Sequence, residues 1–416
     1  MKRIGFLCAL VSVLLMAGCE GLLGPGTTNT STTSTTTSTT STTTTSTTST
    51  TTTSTTTTST TTTTTVPPAQ NIVMIAAGDD HAFFLGDDGR LWGTGRNNEG
   101  ELGVGTEQEI RTPVVVAENV ANVWAGHGQS FIKKTDGSLW ATGRNGHGQL
   151  GVGDSTNRKA WTQVQGYPAA VKEVACGDAH TLFLTGGGSL YASGTNLYGR
   201  LFDPSMADQM APAYIREGVA AIAAGAGHSV LVLAGTGEVQ TVGLNNYGQL
   251  GDGTLSNNNV PGTTMDGVSQ PAAGYYHTVA LKSDGSLWGW GYAHHGQLGL
   301  GGDYVNAQLL PAQAVSVGMN AAYVASGSYH TMIVYKDGSL WGTGSNTDSR
   351  LGDGTENQRN EPVRVLESGV SRVACGDNFS IILTTDKRVM VCGSNYYGQI
   401  GLGDTGWQTV PRYLDL

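Results

Sequence analysis

The sequence predicts an all-β repeat domain, a propeller or a solenoid, and three observations carry that expectation. A frame of small-Gly-x-x-His, an apolar run, Asp-Gly-x-Leu-Trp-Gly and Asn-x-x-Gly-Gln-Leu-Gly recurs seven times after residue 70, starting near Ala76, Ala125, Cys176, Ala224, Ala273, Ser326 and Cys375. The anchor position of the frame holds His81, Gln129, His180, His228, His277, His330 and Phe379, at steps of 48, 51, 48, 49, 53 and 49 residues. A fixed period near 50 residues is the signature of such arrays. No segment sustains a helical apolar period.

Each copy reads as four short strands. The first is typified by Val120–Ala125 and is followed by the Gly-x-x-His turn. The second, residues 278–282 in the fifth copy, ends at Asp-Gly, a hairpin signal. The third is expected over 286–291 and the fourth, in the first copy, over 112–117. The leucines of the Gly-Gln-Leu-Gly element (Leu102, Leu150, Leu250, Leu298 and Leu351) are expected to pack between copies, with the adjacent glycines allowing close approach. The third copy departs most, with Gly186-Gly187-Gly188 in place of Asp-Gly and Leu201-Phe202-Asp203-Pro204 in place of Leu-Gly, so a distorted or specialised unit is expected there.

These copies resemble the repeats of the regulator of chromosome condensation family. The resemblance covers residues 70–416 and implies a seven-bladed β-propeller of four-stranded antiparallel blades. A propeller protects its strand edges by closing into a ring. The segment 72–77 is therefore expected to close the ring beside the last copy, by strand pairing or by blade packing. The fold hosts unrelated activities, so it says little about function.

Ahead of the repeats lie two further segments. Residues 1–18 read as a signal peptide: Lys2 and Arg3 precede an apolar stretch of 14 residues, 4–17, short for a spanning helix. The segment ends Leu15-Met16-Ala17-Gly18-Cys19, which resembles a bacterial lipoprotein box, with Met16 where Leu is commoner. That resemblance implies cleavage before Cys19 and acylation of its thiol. Residues 19–69 form a linker in which 27–65 are Ser and Thr throughout except Asn29. Such a tract has no apolar surface to bury and is expected to stay disordered. Fully extended, its 39 residues would reach on the order of 130 Å. The order of anchor, stalk and domain implies export to a bacterial membrane, with the propeller outside the cytoplasm.

Composition narrows the functional classes. The formal net charge is −10, which repels phosphate and disfavours nucleic acid as a partner. The anchor histidines fall one to a copy, too dispersed for one metal shell, and read as structural groups that tie turns by hydrogen bonds. His294 and His295 suggest no more than a weak site. No Ser/His/Asp set, phosphate loop or paired carboxylate stands clear of the repeat, so no enzyme, cofactor or metal is expected. Cys176 and Cys375 share one repeat position four copies apart, too far across a seven-fold ring for a disulfide, and with Cys392 read as free thiols.

Strand alternation puts the one-to-two turn and the three-to-four loop on one face and the Asp-Gly hairpins on the other. The first of these faces varies between copies. Its turn residues are Asp79-Asp80, His127-Gly128, Asp178-Ala179, Ala226-Gly227, Tyr275-Tyr276, Ser328-Tyr329 and Asp377-Asn378. Its loop residues are Glu99, His147, Tyr198, Tyr247, His295, Asp348 and Tyr397. Tyrosine is favoured in recognition surfaces because it is amphipathic and has few rotors to freeze. A binding face is therefore expected at Tyr275, Tyr276, Tyr329, Tyr198, Tyr247, His295 and Tyr397, centred on copies five and six. The chain reads as a monomeric binding module for an extracytoplasmic protein or glycan. A guanine-nucleotide exchange role, which the family resemblance also implies, fits an exported acidic chain poorly. If Cys19 carries the anchor, cells fed labelled fatty acid incorporate the label into the wild-type chain and not into Cys19→Ala. Label persisting in that variant would remove the anchor.

Overall fold

The computed structural model describes residues 71–166, 170–302, 306–314 and 320–416. Cys19, the signal segment and the Ser/Thr tract lie outside the described residues. From residue 72 onward the chain folds into seven four-stranded antiparallel sheets, over 72–117, 120–163, 171–216, 219–265, 268–313, 321–366 and 370–414. Each sheet is built from four consecutive strands, so one sequence copy is one blade. The expected strands stand within two residues of their observed bounds: Ile110–Ala117, Val120–Ala125, His277–Lys282 and Leu287–Tyr292. Two single-turn 3-10 helices, Leu197–Gly199 and Thr347–Ser349, sit in three-to-four loops.

Position within the blade explains the pattern of each strand. The first strand lines the central axis and buries its first and fourth residues, as at Ile72 and Ile75 or Val171 and Val174. The second lies inside the blade with both faces covered, so His81–Gly86, His180–Thr185 and Phe379–Thr384 are buried throughout, their apolar centres flanked by buried polar residues. The fourth is the rim and is largely exposed.

Two parts of the repeat are local clasps. In the Asp-Gly hairpins, Asp136 Oδ1 accepts from Ser138 N at 2.9 Å and from Ser138 Oγ at 2.6 Å, while Ser138 Oγ accepts from Trp140 Nε1 at 2.8 Å. The same relay recurs at Asp284–Ser286–Trp288 and Asp337–Ser339–Trp341. In the three-to-four loop, Asn145 Oδ1 accepts from Leu150 N at 2.9 Å, and its Nδ2 donates to the carbonyls of Asp154 and Thr156. Asn97, Asn196, Asn245, Asn346 and Asn395 do the equivalent work; the fifth blade has Ala293 there. Six of these loops hold 14 residues between their paired positions, as from Gly95 to Ile110, and the fifth, from Gly291 to Gln308, holds 16. The third blade keeps all four strands in order, and Phe202 adopts a left-handed φ of 61° with its ring in the seam.

The core is not one cluster but seven, one at each seam between neighbouring blades. Leu102, Leu150 and Leu351 sit in these clusters as expected from their glycine-flanked positions. The anchor histidines also act at the seams, where the sequence suggested ties within a turn. His81 Nε2 meets Ser130 Oγ at 2.8 Å, His180 meets Ser229 at 2.7 Å, His228 meets Thr278 at 3.0 Å, His277 meets Thr331 at 3.4 Å and His330 meets Ser380 at 3.0 Å. In every case the hydroxyl belongs to the next blade. Thr278, Thr331 and Ser380 donate their own protons to loop carbonyls of Gln249, Gln297 and Arg350. Those hydroxyls must then accept from the imidazole, which fixes the proton on Nε2 and leaves a bare, unpartnered Nδ1. Gln129 spans its seam through Nε2 to the carbonyl of Gly177 at 2.6 Å.

The ring closes by packing. Ile72–Ala77 pairs with His81–Gly86 of its own blade, and no strand is exchanged across the closing seam. Ile72, Ile75, Phe84 and Trp92 instead pack on Phe379, Ile381, Val391 and Leu414. Backbone bonds from Ile72 N to Lys387 O and from Asp377 N to Asp79 O, each 2.9 Å, fix the register. Phe379 replaces the histidine at this seam, and Ala82 replaces the hydroxyl it would need. Cys176, Cys375 and Cys392 are free thiols.

Burial without a second partner keeps the seam histidines neutral. It pushes His81 down to about 4 and His228 and His277 to about 3, while His180 and His330 go well below their usual value. An unfolded histidine titrates near 6.5, so unfolding takes up protons below that pH. The stability these groups hold is complete above 6.5 and falls as the pH drops toward 4. Asp80 and Glu173, raised to about 7 mainly by burial, act oppositely: what they contribute is present below the unfolded carboxylate pKa and lost as pH rises through 7. His228→Gln should fold at pH 8, since Gln129 shows that an amide can span a seam. Between pH 6 and pH 4 it should lose stability more slowly than wild type, by up to about 1.4 kcal/mol per pH unit. Denaturant titrations at several pH values check this; an unchanged slope would mean that His228 is not held neutral.

Candidate functional site

The one-to-two turns gather at one end of the channel. Their first residues (Asp79, His127, Asp178, Ala226, Tyr275, Ser328 and Asp377) form a rim linked partly through the backbone. Asp178 N donates to Ala226 O, Ala226 N to Tyr275 O and Tyr275 N to Ser328 O, each at 3.2 Å, and Asp377 N donates to Asp79 O. Below the rim lies a chamber of about 180 Å³, bounded by the small residues Ala77, Ala125, Cys176, Ala224, Ala273, Ser326 and Cys375. The glycine after each of these is required by packing. A Cβ at Gly274 would lie 2.0 Å from the His277 ring and 2.4 Å from the Gly327 carbonyl of the next blade.

The rim has two unlike sectors. Blades four to six present an aromatic network. Tyr247 lies 5.1 Å from Tyr276 between ring centroids and 4.9 Å from Tyr292. Tyr275 lies 4.9 Å from Tyr276 and stacks on Tyr329 at 6.1 Å and 19°. His295 meets Tyr329 at 5.3 Å and Tyr292 at 5.6 Å, with His294 beside it. The structure thus brings together five of the seven residues expected on this face: Tyr247, Tyr275, Tyr276, His295 and Tyr329. Tyr198 stands apart on blade three near the Arg200 guanidinium, and Tyr397 stands on blade seven between Tyr396 and Arg96.

Tyr292 was missed by sequence reasoning because it is the last residue of the third strand, just past the expected end at 291 and outside the two stretches compared. A signal was present: that position holds Arg96, Arg144, Thr195, Leu244, Tyr292, Ser345 and Ser394, as variable as the turns. His294 and His295 bring no third ligand, and no group of three metal-binding side chains occurs among the described residues.

The other sector, on blades seven and one to three, is charged. Arg144 bridges Asp178 at 2.7 Å, and Arg96 stands 3.7 Å from both Asp80 and Glu101. His127 pairs with Asp79 at 3.0 Å. Burial alone would hold His127 neutral, but Asp79, Asp178 and Asp377 outweigh it and raise its pKa; burial opposes and His127 wins at Asp79, whose pKa is lowered. Crowding shows in the remaining acids. Asp80 is pushed up to about 7 by burial, Asp79 and Asp377, and Asp377 is raised by burial and Asp79. The sectors meet where His127, from blade two, makes edge contact with the Tyr275 ring of blade five at 5.2 Å. This geometry holds an amphipathic platform, a carboxylate rim and a shallow chamber, which suits recognition of a ligand.

Fold and site together define a seven-bladed propeller with a receptive channel mouth, and the comparisons place it. The RCC1-like domain pattern matches residues 18–319, and regulator of chromosome condensation (RCC1) repeats match 322–350 and 370–399. The chain belongs to the RCC1-like domain family. It is 36% identical over 130 residues to the X-linked retinitis pigmentosa GTPase regulator homolog of Caenorhabditis elegans, covering 30% of this chain and 9% of that protein. It is 36% identical over 128 residues to a bovine (Bos taurus) secretion-regulating guanine nucleotide exchange factor, covering 30% of this chain and 27% of that one. The matched stretch is therefore a minor part of each relative. Among solved structures, Prp20p of Saccharomyces cerevisiae superposes with a TM-score of 0.67 at 22% identity, covering 76% of this chain and 84% of that one; this likeness concerns the fold.

Proposed function

We propose that this chain is an exported binding module, held to a bacterial membrane through Cys19, lifted by the 19–69 stalk, and presenting the channel-mouth face to an extracytoplasmic protein or glycan. The observation that carries the binding role is the aromatic network of Tyr247, Tyr275, Tyr276, Tyr292 and Tyr329, assembled from the variable positions of neighbouring blades. Aromatic side chains half-buried against one another offer contact area with little entropy left to lose on binding. The reading assigns the chain no catalysis of its own. Nucleotide exchange is the second reading, favoured by the name of the bovine relative. Against it, the three-to-four loops differ by no more than two residues between their paired positions, which leaves no room in them for a long inserted wedge.

A buried aromatic at the centre of an interface typically costs about 2 kcal/mol or more when truncated. Tyr276→Ala and Tyr329→Ala should each weaken partner capture at least about tenfold without lowering the melting temperature. Asp88→Ala and Asp136→Ala, in the hairpins of the opposite face, should leave it intact. Affinity capture from surface extracts, followed by titration of the recovered partner, reads both. Capture lost with the hairpin changes and kept with the tyrosine changes would put the binding face at the other end.

A further inference from the structure

The aromatic sector carries a chemical bias that the binding reading alone does not supply. Its tyrosines sit beside carboxylates; His127, His294 and His295 touch its edges, and no lysine or arginine lies over any of its rings among the described residues. Tyr275 is pushed up to about 12 by burial and then by Asp178 and Asp79, and Tyr329 is raised by burial, its tyrosine neighbours and Asp377. The arginines of the mouth are already engaged on the far sector, Arg144 with Asp178 and Arg96 with Asp80 and Glu101. Arg350 donates to the Asp377 carbonyl at 3.0 Å, through Nη1, and so braces the backbone of that turn. The Asp377 carboxylate, by contrast, forms no salt bridge among the described residues: its hydrogen bonds are to neutral groups, Asn378 at 3.3 Å and Ser328, while the Arg350 and His127 cations favour its ionised form only from a distance. Ser328 precedes Tyr329 on the next turn of the rim. A stacked tyrosine pair therefore adjoins a carboxylate that no cation contacts directly, with Arg350 and His127 acting on it from farther off.

An aromatic face beside a desolvated carboxylate is the arrangement that favours a guanidinium or ammonium group. The ring quadrupole attracts the cation, the carboxylate neutralises it, and the aliphatic stem lies along the rings. The net charge of −10 acts in the same direction by drawing basic partners to the surface. We propose that the channel mouth receives an arginine or lysine side chain of a protein partner, its stem against Tyr275, Tyr276 and Tyr329 and its cationic head at Asp377. This rests on the binding-face reading and selects a basic protein segment over a glycan or an acidic segment.

The test uses the full chain and two synthetic probes, acetyl-Gly-Arg-Gly-amide and its citrulline counterpart, which keeps the shape and loses the charge. Titration by NMR should show the arginine peptide binding at least about tenfold more tightly, a preference typical of a partly desolvated cation site. Asp377→Asn should abolish that preference without lowering the melting temperature, because the ionised carboxylate is already disfavoured by burial and the backbone bonds of the turn remain. Tyr329→Leu should weaken the arginine peptide, and Asp136→Asn should change nothing. Equal binding of the two peptides, no binding at millimolar concentration, or a preference that survives Asp377→Asn would each overturn the inference. If Tyr276→Ala and Tyr329→Ala still abolish capture of a partner while the peptides bind alike, the binding face stands and only its cationic chemistry falls. If they leave capture intact, the face itself falls.

Discussion

The rest of the structure depends on the seam between neighbouring blades. A blade of four short strands cannot bury both its faces alone, so each apolar face is completed by the next blade, and the set is stable only as a ring. The seven clusters supply most of the stabilisation, since burying one large apolar side chain is worth roughly 1.5–3 kcal/mol and each cluster holds several. The imidazole-to-hydroxyl bond contributes about 1 kcal/mol net. Its larger effect is orientation. A buried Nε2–H without its hydroxyl would be left unsatisfied, so blades that slip in register lose more than the bond. The closing seam obeys the same rule from the other side. Phe379 brings no donor, Ala82 brings no acceptor, and nothing polar is stranded.

That division leaves the channel mouth free to vary. The turn glycines and the loop asparagines fix the backbone of the face. Side chains at the first-turn positions and before the loop glycine bear little of the seam load. The chain has used this freedom unevenly, with rings on blades four to six and charges on the rest. Blade five goes furthest: Ala293 stands where other blades place the clasping asparagine, and Tyr292, His294 and His295 around it all point to the aromatic network. A rigid ring with a varied rim suits recognition, because the partner need not order the surface it meets.

Much of the fold was legible in the sequence because the repeat is local. Asp-Gly, the buried second strand and the Asn-to-Leu clasp all act within about 15 residues, so one copy displays them. The seams were not legible in a single copy, because His180 meets Ser229 and His228 meets Thr278 about one full repeat away. Only the joint pattern reveals them: a hydroxyl follows the anchor position in the copy after each histidine, and Ala82 follows Phe379 around the ring. The aromatic face was found in outline from the variable positions, yet Tyr198 and Tyr397 lie outside the network and Tyr292 lies inside it. Which variable residues converge is set by blade geometry, and a sequence alignment of the copies weights all blades alike.

The central claim is that paired donors and acceptors at the seams hold the ring in register. A double-mutant cycle at the seam of blades three and four tests it directly, using His180→Phe, Ser229→Ala and the two together, which copies the chemistry of the closing seam. Equilibrium unfolding at pH 8 should show each single change destabilising, the first by stranding the Ser229 hydroxyl and the second by stranding the His180 Nε2. The pair should recover a large part of the combined loss, with a coupling of about 1 kcal/mol or more. Strictly additive losses would show that the two side chains act independently and that the seams are held by apolar packing alone.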